Sequence, residues 1–454
     1  MFVTPSYLRK SLLASLHTPE TQGFDITGQE QRLAALPDSQ DALTDFARQL
    51  LRLPLRKDWP YAEPVSWEEI QREMTPGRER FCRRGDAAWY GRKAETAFLA
   101  SVLGCILGKP LEVNPDLDSL RRAGEAVGQW PIEDFITPEF LEALGRRHFS
   151  WTETTKGNIR YAAADDDLNY TVLGMLALEE HGLDLDLDGM KRTWLRHQAM
   201  GFAFGPEQHI TACIAANRLQ EDEMEPHHPD EDYSWWADLF NPMNEECGAI
   251  IRMDAYGCAF AGRPDLAAKY ACIDASFTHR RTGVYSAMYV AAVLAGMFAA
   301  RDPVEPFVEA LHFIPSRSRF YRACQVALQC VLSSDSFEEG YEKIHHRFGQ
   351  YGHCMVYQEI GTLINTMRWA KDIWHGVCLQ VMQGNDTDSF GCTAGSLLGA
   401  YFGPEGLDCR RLEPFRDTIH ISLADFYETS LSGLARRIGM LPERFLPLAE
   451  EEKG

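Results

Sequence analysis

The sequence is short of positive charge. It contains 45 Lys and Arg residues against 66 Asp and Glu residues, which gives a formal net charge of −21 and an isoelectric point near 5.1. An acidic surface of this kind repels phosphate groups, so neither a nucleic acid nor an anionic membrane is expected as a partner.

The sequence also lacks paired-cysteine motifs. Its 12 cysteines include no Cys-x-x-Cys pair, and several of them, such as Cys105, Cys258 and Cys392, lie among apolar or small residues. This pattern is typical of reduced, buried thiols rather than of disulfides or a zinc site. The first residues, MFVTPSYLRK, show no apolar core of a secretory signal. We therefore expect a cytoplasmic protein.

Long uncharged apolar runs are missing as well. The longest, Val284–Ala300, is shorter than the ~20 residues that span a bilayer, and its Ala and Gly content predicts a buried central helix instead. Strict alternation of apolar and polar residues, the pattern of a half-buried strand, is equally scarce. From about Ala87 onward, apolar residues recur at three- and four-residue spacing, which predicts an all-α body.

Composition divides the chain into three segments. Residues 1–86 are rich in proline and charge, and their short apolar stretches predict a mostly helical N-terminal extension without an assignable function. Residues 87–440 carry the long helical patterns and form the expected catalytic domain, and residues 441–454 form a C-terminal tail. The acidic stretch Leu219–Tyr233 is expected to be an exposed loop.

Two clusters of carboxylates stand directly before apolar helices. The first is Asp165–Asp167, and the second comprises Asp386, Asp388 and the hydroxyl of Ser389. One aspartate caps a helix well, but three in a row repel each other unless they are exposed or neutralised. The second cluster precedes a stripe of glycines at four-residue spacing, which allows close helix packing and predicts a deeply buried helix.

Carboxylates at the end of a buried helix need compensation for the water they lose. Oxygen donors without His or Cys suit Mg²⁺, Mn²⁺ or Ca²⁺ rather than zinc. Several carboxylates that converge on one spot suit two such ions about 4 Å apart. The two clusters therefore predict a divalent metal site.

A class I terpene synthase is one all-α enzyme that uses such carboxylates. Its DDxxD and NDxxSxxxE motifs hold magnesium diphosphate, and residues 165–169 and 385–389 imitate them in part. The imitation stops at Thr393, where the second motif requires a glutamate. The glycine stripe is also unusual for a terpene pocket, which aromatic rings normally line.

Four stretches together carry a closer resemblance. In chain order they are AFLASVLGCILGKPLEVN, DDDLNYTVL, the central block that starts at CGAIIRMDAYGCAF, and GNDTDSFGCTAGSLLGAYFG. From about Gly91 to about Ile438 the chain thereby resembles the ADP-ribosylglycohydrolase family. The resemblance implies a compact, multi-helix orthogonal bundle, with the N-terminal helical extension added to it.

The resemblance also implies a set of site residues. Glu112 becomes the catalytic carboxylate, on a loop over the scissile bond. Two divalent ions are implied, Mg²⁺ first and Mn²⁺ as the alternative. The implied metal ligands are Asp165, Asp166, Asp167, Asp386, Asp388 and Ser389. The residues implied to bind substrate are Gly248, Arg252, His279 and Asn169.

Three positions depart from the family pattern. Asp165 stands where the family has a threonine, Cys247 replaces an asparagine, and Asn385 replaces the second of two glycines. An extra anion at position 165 either changes the metal preference or leaves that side chain outside the ligand set.

The implied activity is hydrolysis of the glycosidic bond at the anomeric carbon of ADP-ribose. The sequence leaves the acceptor open, so the substrate is an ADP-ribosylated protein or a small molecule. Two alternatives within the same fold remain: an ADP-ribose-binding protein that has lost catalysis, and an N-glycoside hydrolase that acts on a nucleoside-like metabolite.

Overall fold

The computed structural model describes residues 4–75, 86–218, 237–238, 241–352 and 354–451. The expected acidic loop Leu219–Tyr233 lies outside these residues. Within them the chain forms 22 α-helices joined by short 3₁₀ turns, and only isolated β-bridges, so the prediction of an all-α fold is confirmed. The helices of the N-terminal extension are α1 Pro5–Ser15, α2 His17–Thr21, α3 Gln29–Ala35, α4 Gln40–Leu50 and α5 Trp67–Glu73. Those of the body are α6 Ala87–Gly108, α7 Leu117–Val127, α8 Pro138–Leu144, α9 Trp151–Thr154, α10 Asp166–His181, α11 Leu187–His197, α12 Gly205–Arg218, α13 Asp254–Ala259, α14 Pro264–Ser276, α15 Thr282–Met297, α16 Glu305–Glu309, α17 Arg319–Leu332, α18 Phe337–Phe348, α19 Val356–Trp369, α20 Ile373–Met382, α21 Thr387–Phe402 and α22 Leu431–Glu451.

The N-terminal extension has a small apolar core of its own. Leu12, Leu43 and Phe46 are almost fully buried within it and separate from the main core. Polar contacts fix the extension to the body: the Thr18 hydroxyl donates to a body carbonyl at 2.8 Å, and Glu63 pairs with Arg319 at 2.8 Å. The extension is therefore a layer of helices that packs against the body.

Helices α6 and α21 pack with their backbones in contact. An ideal Cβ on Gly391 would lie 2.6 Å from the Gly104 carbonyl oxygen, and one on Gly395 would collide with the backbone of Ala100. The glycine stripe thus faces α6, in agreement with the close packing expected from the sequence. Residues 87–111 are long and apolar enough to cross a membrane, but 89% of that apolar window is buried inside the protein, where it forms the core.

The last helix runs across the boundary expected at residue 440. α22 continues to Glu451, and Leu441 and Phe445 on it are buried. It packs on α6 through another close approach, in which a Cβ on Gly91 would lie 2.6 Å from the Gly439 carbonyl oxygen. Leu441 and Phe445 therefore pack into the body, and the helix that carries them continues past residue 440 without a break.

Asp254 is a carboxylate buried inside this helical core. It begins α13, and its carboxylate accepts a hydrogen bond from the Ser396 hydroxyl on α21. Burial raises the pKa of Asp254 to about 7, against the smaller opposing effect of that hydrogen bond. The native state consequently holds a proton at Asp254 that the unfolded chain releases near its ordinary pKa of 3.8.

This proton makes stability depend on pH with a defined sign. A raised pKa stabilises the fold fully below the unfolded value, and that contribution is lost as the pH rises towards 7. Asp254→Asn keeps the shape and removes the titration. The wild-type unfolding free energy, measured in urea, should fall relative to the variant by up to about 1 kcal/mol per pH unit between pH 5 and 7. Parallel curves would contradict a buried, protonated Asp254.

The close packing of α6 and α21 predicts a second, local effect. Gly395→Ala should destabilise the protein by roughly 1–3 kcal/mol, because its methyl group meets backbone that cannot rotate away. Gly201→Ala is the matched control, since a Cβ there has no atom within 4 Å. Equal melting temperatures for the two variants would show that the helices are not in backbone contact.

Candidate metal centre

Three helix ends meet at one point of the body. The C-terminal end of α6 continues through a 3₁₀ turn to Glu112, while α10 and α21 begin with Asp165 and Asp386 as their N-caps. The Thr387 hydroxyl donates to the Gly108 carbonyl at 2.9 Å, which ties the start of α21 to the end of α6. All predicted metal ligands lie on these ends.

The turn before α21 has two consecutive residues with positive φ, and it positions the carboxylates that follow it. Gly384 and Asn385 both adopt positive φ values, 77° and 62°. The Asn385 N–H donates to the Pro115 carbonyl at 2.8 Å, so the turn is held against the chain that follows Glu112. Asparagine tolerates the left-handed region better than most residues. Asn385 can therefore replace a glycine without a change in the path of the chain.

A lysine lies in the middle of the carboxylates. The Lys109 Nζ is 2.7 Å from Asp165 Oδ2, 2.7 Å from Glu112 Oε2 and 2.8 Å from Asp388 Oδ2. Burial by itself lowers the pKa of Lys109, but the three carboxylates outweigh burial and hold that pKa well above its ordinary value. The same ammonium group keeps the pKa of Asp165 below its ordinary value in spite of burial.

One lysine does not neutralise the whole cluster. Burial, reinforced by the neighbouring carboxylates, raises the pKa of Asp166 to about 8 and those of Asp167 and Asp386 well above their ordinary values. Burial and then Asp388 raise the pKa of Glu112 to about 9, although Lys109 acts against them. Further positive charge is needed for all of these groups to ionise at neutral pH.

Several carboxylate oxygens have no hydrogen-bond donor among the described residues. They include both side-chain oxygens of Asp167, Oδ1 of Asp388, and Oδ2 of Asp165, which Lys109 approaches to 2.7 Å as an ion pair; all of them are buried. Oxygen atoms of Glu112, Asp386 and Asp388 also lie within 4.8 Å of one another. Buried, unpaired anionic oxygens of this kind fit a hard divalent cation, which takes oxygen ligands. The residues present therefore suit the Mg²⁺ or Mn²⁺ that the resemblance implies.

The cluster opens into a cavity of about 250 Å³. Of the predicted residues, the carboxylates of Glu112, Asp166 and Asp386, the Ser389 side chain and the backbone of Gly248 line this cavity. Gly248 is required there, because a Cβ would lie 2.5 Å from a Glu207 carboxylate oxygen. A larger cavity of about 810 Å³ lies under the N-terminal extension, but its only residue in common with the carboxylate cavity is Glu246.

Arg252, His279 and Asn169, which the resemblance implies as substrate-binding residues, do not line the cavity. The Arg252 guanidinium is fully buried between Glu207, at 2.5 Å, and Asp274. It joins α12 to α14 behind the cavity wall, so the motif that suggested a ligand contact is a packing feature.

The other two side chains are equally enclosed. His279 shares a hydrogen bond with the neighbouring Thr278 hydroxyl at 2.8 Å, and burial keeps the pKa of its imidazole well below its ordinary value. The Asn169 carbonyl accepts from the Ser422 N–H at 2.9 Å and so fixes the loop before α22 to α10. Both residues support the walls of the site from behind.

Sequence reasoning missed four residues of the site. The sequence places Lys109 three residues before Glu112, and this spacing brings two side chains together on a helical turn, so their contact could have been predicted. The other three residues belong to no recognisable sequence motif. They are His148, whose Nε2 lies 3.5 Å from Glu112 Oε2, Phe149, whose side chain is 83% exposed, and Glu207. Cys247 was noted only as a departure, and its thiol donates to Asp386 Oδ2 at 3.5 Å.

Comparison with known proteins identifies the family of the chain and supports its fold. The family model for ADP-ribosylglycohydrolase matches residues 87–444, most of the chain, so the chain belongs to the ADP-ribosylglycohydrolase family. Among solved structures, a chain of an ADP-ribosylglycohydrolase-related protein complex aligns with a TM-score of 0.50 at 15% identity, over 79% of this chain and 99% of that chain. At that identity the likeness concerns the fold alone. No curated protein sequence matches the chain.

Divalent metal should stabilise this protein through the cluster. A ligand that binds only the native state at a hundredfold excess over its dissociation constant adds about 2.7 kcal/mol. Mg²⁺ or Mn²⁺ should therefore raise the melting temperature over that in EDTA, and Asp388→Ala should remove most of this rise. Asp372→Ala is the control: it removes the exposed N-cap of α20, at the opposite end of that helix from the turn before Asp386, and should lower stability by about 1 kcal/mol while the response to metal persists. Identical wild-type curves with metal and with EDTA would argue against a metal site.

Proposed function

We propose that this family member is a metal-dependent hydrolase that cleaves the glycosidic bond at the anomeric carbon of ADP-ribose and releases it from a modified protein side chain or a small acceptor. The observation that supports the proposal most strongly is the set of buried carboxylates from three helix ends, with unpaired oxygens beside an open cavity. The family resemblance implies two ions. The carboxylate oxygens that Lys109 leaves free are enough to hold at least one.

The reaction adds water to the anomeric carbon, breaks the bond to the acceptor and leaves a proton on the departing atom. Its transition state resembles an oxocarbenium ion, as in other glycoside hydrolyses. When bound, divalent ions supply Lewis-acid chemistry that orients the ribose hydroxyls and lowers the pKa of water. The ligands proposed to hold them are Asp166, Asp167, Asp386, Asp388 and Ser389.

Glu112 is proposed to handle the proton. Its side chain is about one-third exposed, borders the cavity and has His148 within 3.5 Å. From this position a carboxyl group can give a proton to the leaving atom or orient the attacking water. Lys109 on one side and His148 on the other hold Glu112 in place, so few side-chain rotations have to be frozen when substrate binds.

The size of the cavity suggests how the substrate lies. A volume of about 250 Å³ is below the roughly 300–1,000 Å³ of sites that enclose a whole ligand. We therefore propose that the ribose at the scissile bond enters the cavity and that the rest of ADP-ribose follows the surface beside it. The exposed ring of Phe149 at the rim is a candidate stacking surface for the adenine.

A catalytically silent ADP-ribose-binding protein is the second candidate. The specific observation in its favour is Lys109, whose ammonium group occupies carboxylates that the resemblance assigns to metal. Glu112→Gln separates the two candidates, because it retains the side-chain volume and removes the carboxyl group.

We expect Glu112→Gln to bind ADP-ribose within a few-fold of wild type in calorimetry. Its release of ADP-ribose from a panel of ADP-ribosylated acceptors should fall by two to four orders of magnitude, roughly the contribution of positioned acid–base help. Asp388→Ala should lose both binding and turnover. If wild type binds ADP-ribose but cleaves no acceptor, the binding protein is the correct description. If Glu112→Gln turns over like wild type, Glu112 is not the catalytic carboxylate.

A further inference from the structure

We propose that Lys109 is a built-in cation that takes the place of one of two divalent ions, so that the site binds a single divalent ion. The inference rests on the proposed metal-dependent function, whose metal count it changes. It assigns to Lys109 a positioning role: the ammonium group holds carboxylates in place and does not touch the reacting atoms.

The geometry around Lys109 is that of a bound cation. Its Nζ lies at 2.7–2.8 Å from one oxygen each of Glu112, Asp165 and Asp388, which come from three different helix ends. An ammonium group carries three N–H donors. Lys109 donates hydrogen bonds to Glu112 and Asp388 and forms an ion pair with Asp165. The side chain is only one-tenth exposed, and it contacts carboxylates on one side while it borders the cavity on the other.

Asp165 gives the second argument. It stands where the resemblance has a neutral threonine, and this adds one negative charge to the site. The structure shows how both of its oxygens are used: Oδ1 accepts the Asp167 N–H at 3.1 Å, and Oδ2 contacts Lys109. Asp165 and Lys109 thus form a complementary pair, in which the charge introduced by one residue balances that of the other.

The two oxygens of Asp388 show what remains for metal. Oδ2 contacts Lys109 at 2.8 Å, whereas Oδ1 is buried and has no hydrogen-bond partner among the described residues. Asp386, Ser389 and Asp166 line the cavity, and an oxygen of Asp388 lies within 4.8 Å of oxygens of Glu112 and Asp386. Mg²⁺ and Mn²⁺ need few protein oxygens because water completes their coordination, so this set is sufficient for one ion.

Lys93 is a natural control for the effect of a buried lysine. Its ammonium donates to the carbonyls of Phe298, Ala400 and Tyr401 at 3.2, 2.9 and 3.2 Å, and none of these groups is a carboxylate. Loss of the Lys93 side chain removes hydrogen bonds but creates no cluster of unbalanced anions. The two lysines therefore differ in whether a divalent ion can replace them.

The test is the number of Mn²⁺ ions bound by the full-length chain after removal of metal with a chelator, measured by calorimetry and by elemental analysis. Wild type should bind one ion per chain, and Lys109→Met combined with Asp165→Thr should bind two. A wild-type count of two would overturn the inference and leave the proposed function intact. A wild-type count of zero would overturn both, and a double variant that still binds one ion would overturn the role of Lys109.

Melting curves give a readout that does not depend on stoichiometry. Lys109→Met should melt below wild type in EDTA and regain most of the difference when Mn²⁺ is added, because the ion replaces the lost ammonium. Lys93→Met should also melt early, but its deficit should be the same with and without Mn²⁺. Equal behaviour of the two variants would contradict the inference. A wild-type count of two would overturn the inference even if neither variant folds.

Discussion

The carboxylate cluster depends on the backbone contact between α6 and α21. With glycines at 104 and 391 facing each other, no side chain separates the two helices, and the end of one is fixed against the start of the other. Interiors packed at this density have little room to adjust. The positions of Glu112 and Asp388 relative to each other are therefore set by helix packing and not by the flexible loops around them.

This rigid frame brings negative charges together where water is scarce. Desolvated carboxylates are costly unless a partner compensates them, and removal of one partner from a buried set leaves an unbalanced charge. The protein supplies one partner itself in Lys109 and leaves Asp388 Oδ1 and both oxygens of Asp167 without a donor among the described residues. A site built in this way is suited to a cation because helix packing already holds the carboxylates together.

Patterns that depend on local spacing were readable from the sequence, whereas contacts that depend on tertiary packing were not. The helical period gave the all-α fold, and the stripe that includes Gly395 gave a deeply buried helix. The carboxylate clusters marked the helix ends that meet. Arg252 and His279 were expected at the cavity because their motif does not record which side of a wall a side chain occupies. Lys109 was overlooked because a lysine in an acidic protein is normally solvated.

Anomalous diffraction from crystals grown with Mn²⁺ would test the central claim most directly, since it locates the ions and the lysine in one experiment. The account predicts one anomalous peak per chain, in contact with Asp386 and Asp388, with the Lys109 ammonium still paired to Asp165. Two peaks around a displaced Lys109 side chain would contradict the built-in cation. The absence of any peak at the carboxylates would contradict the metal centre itself.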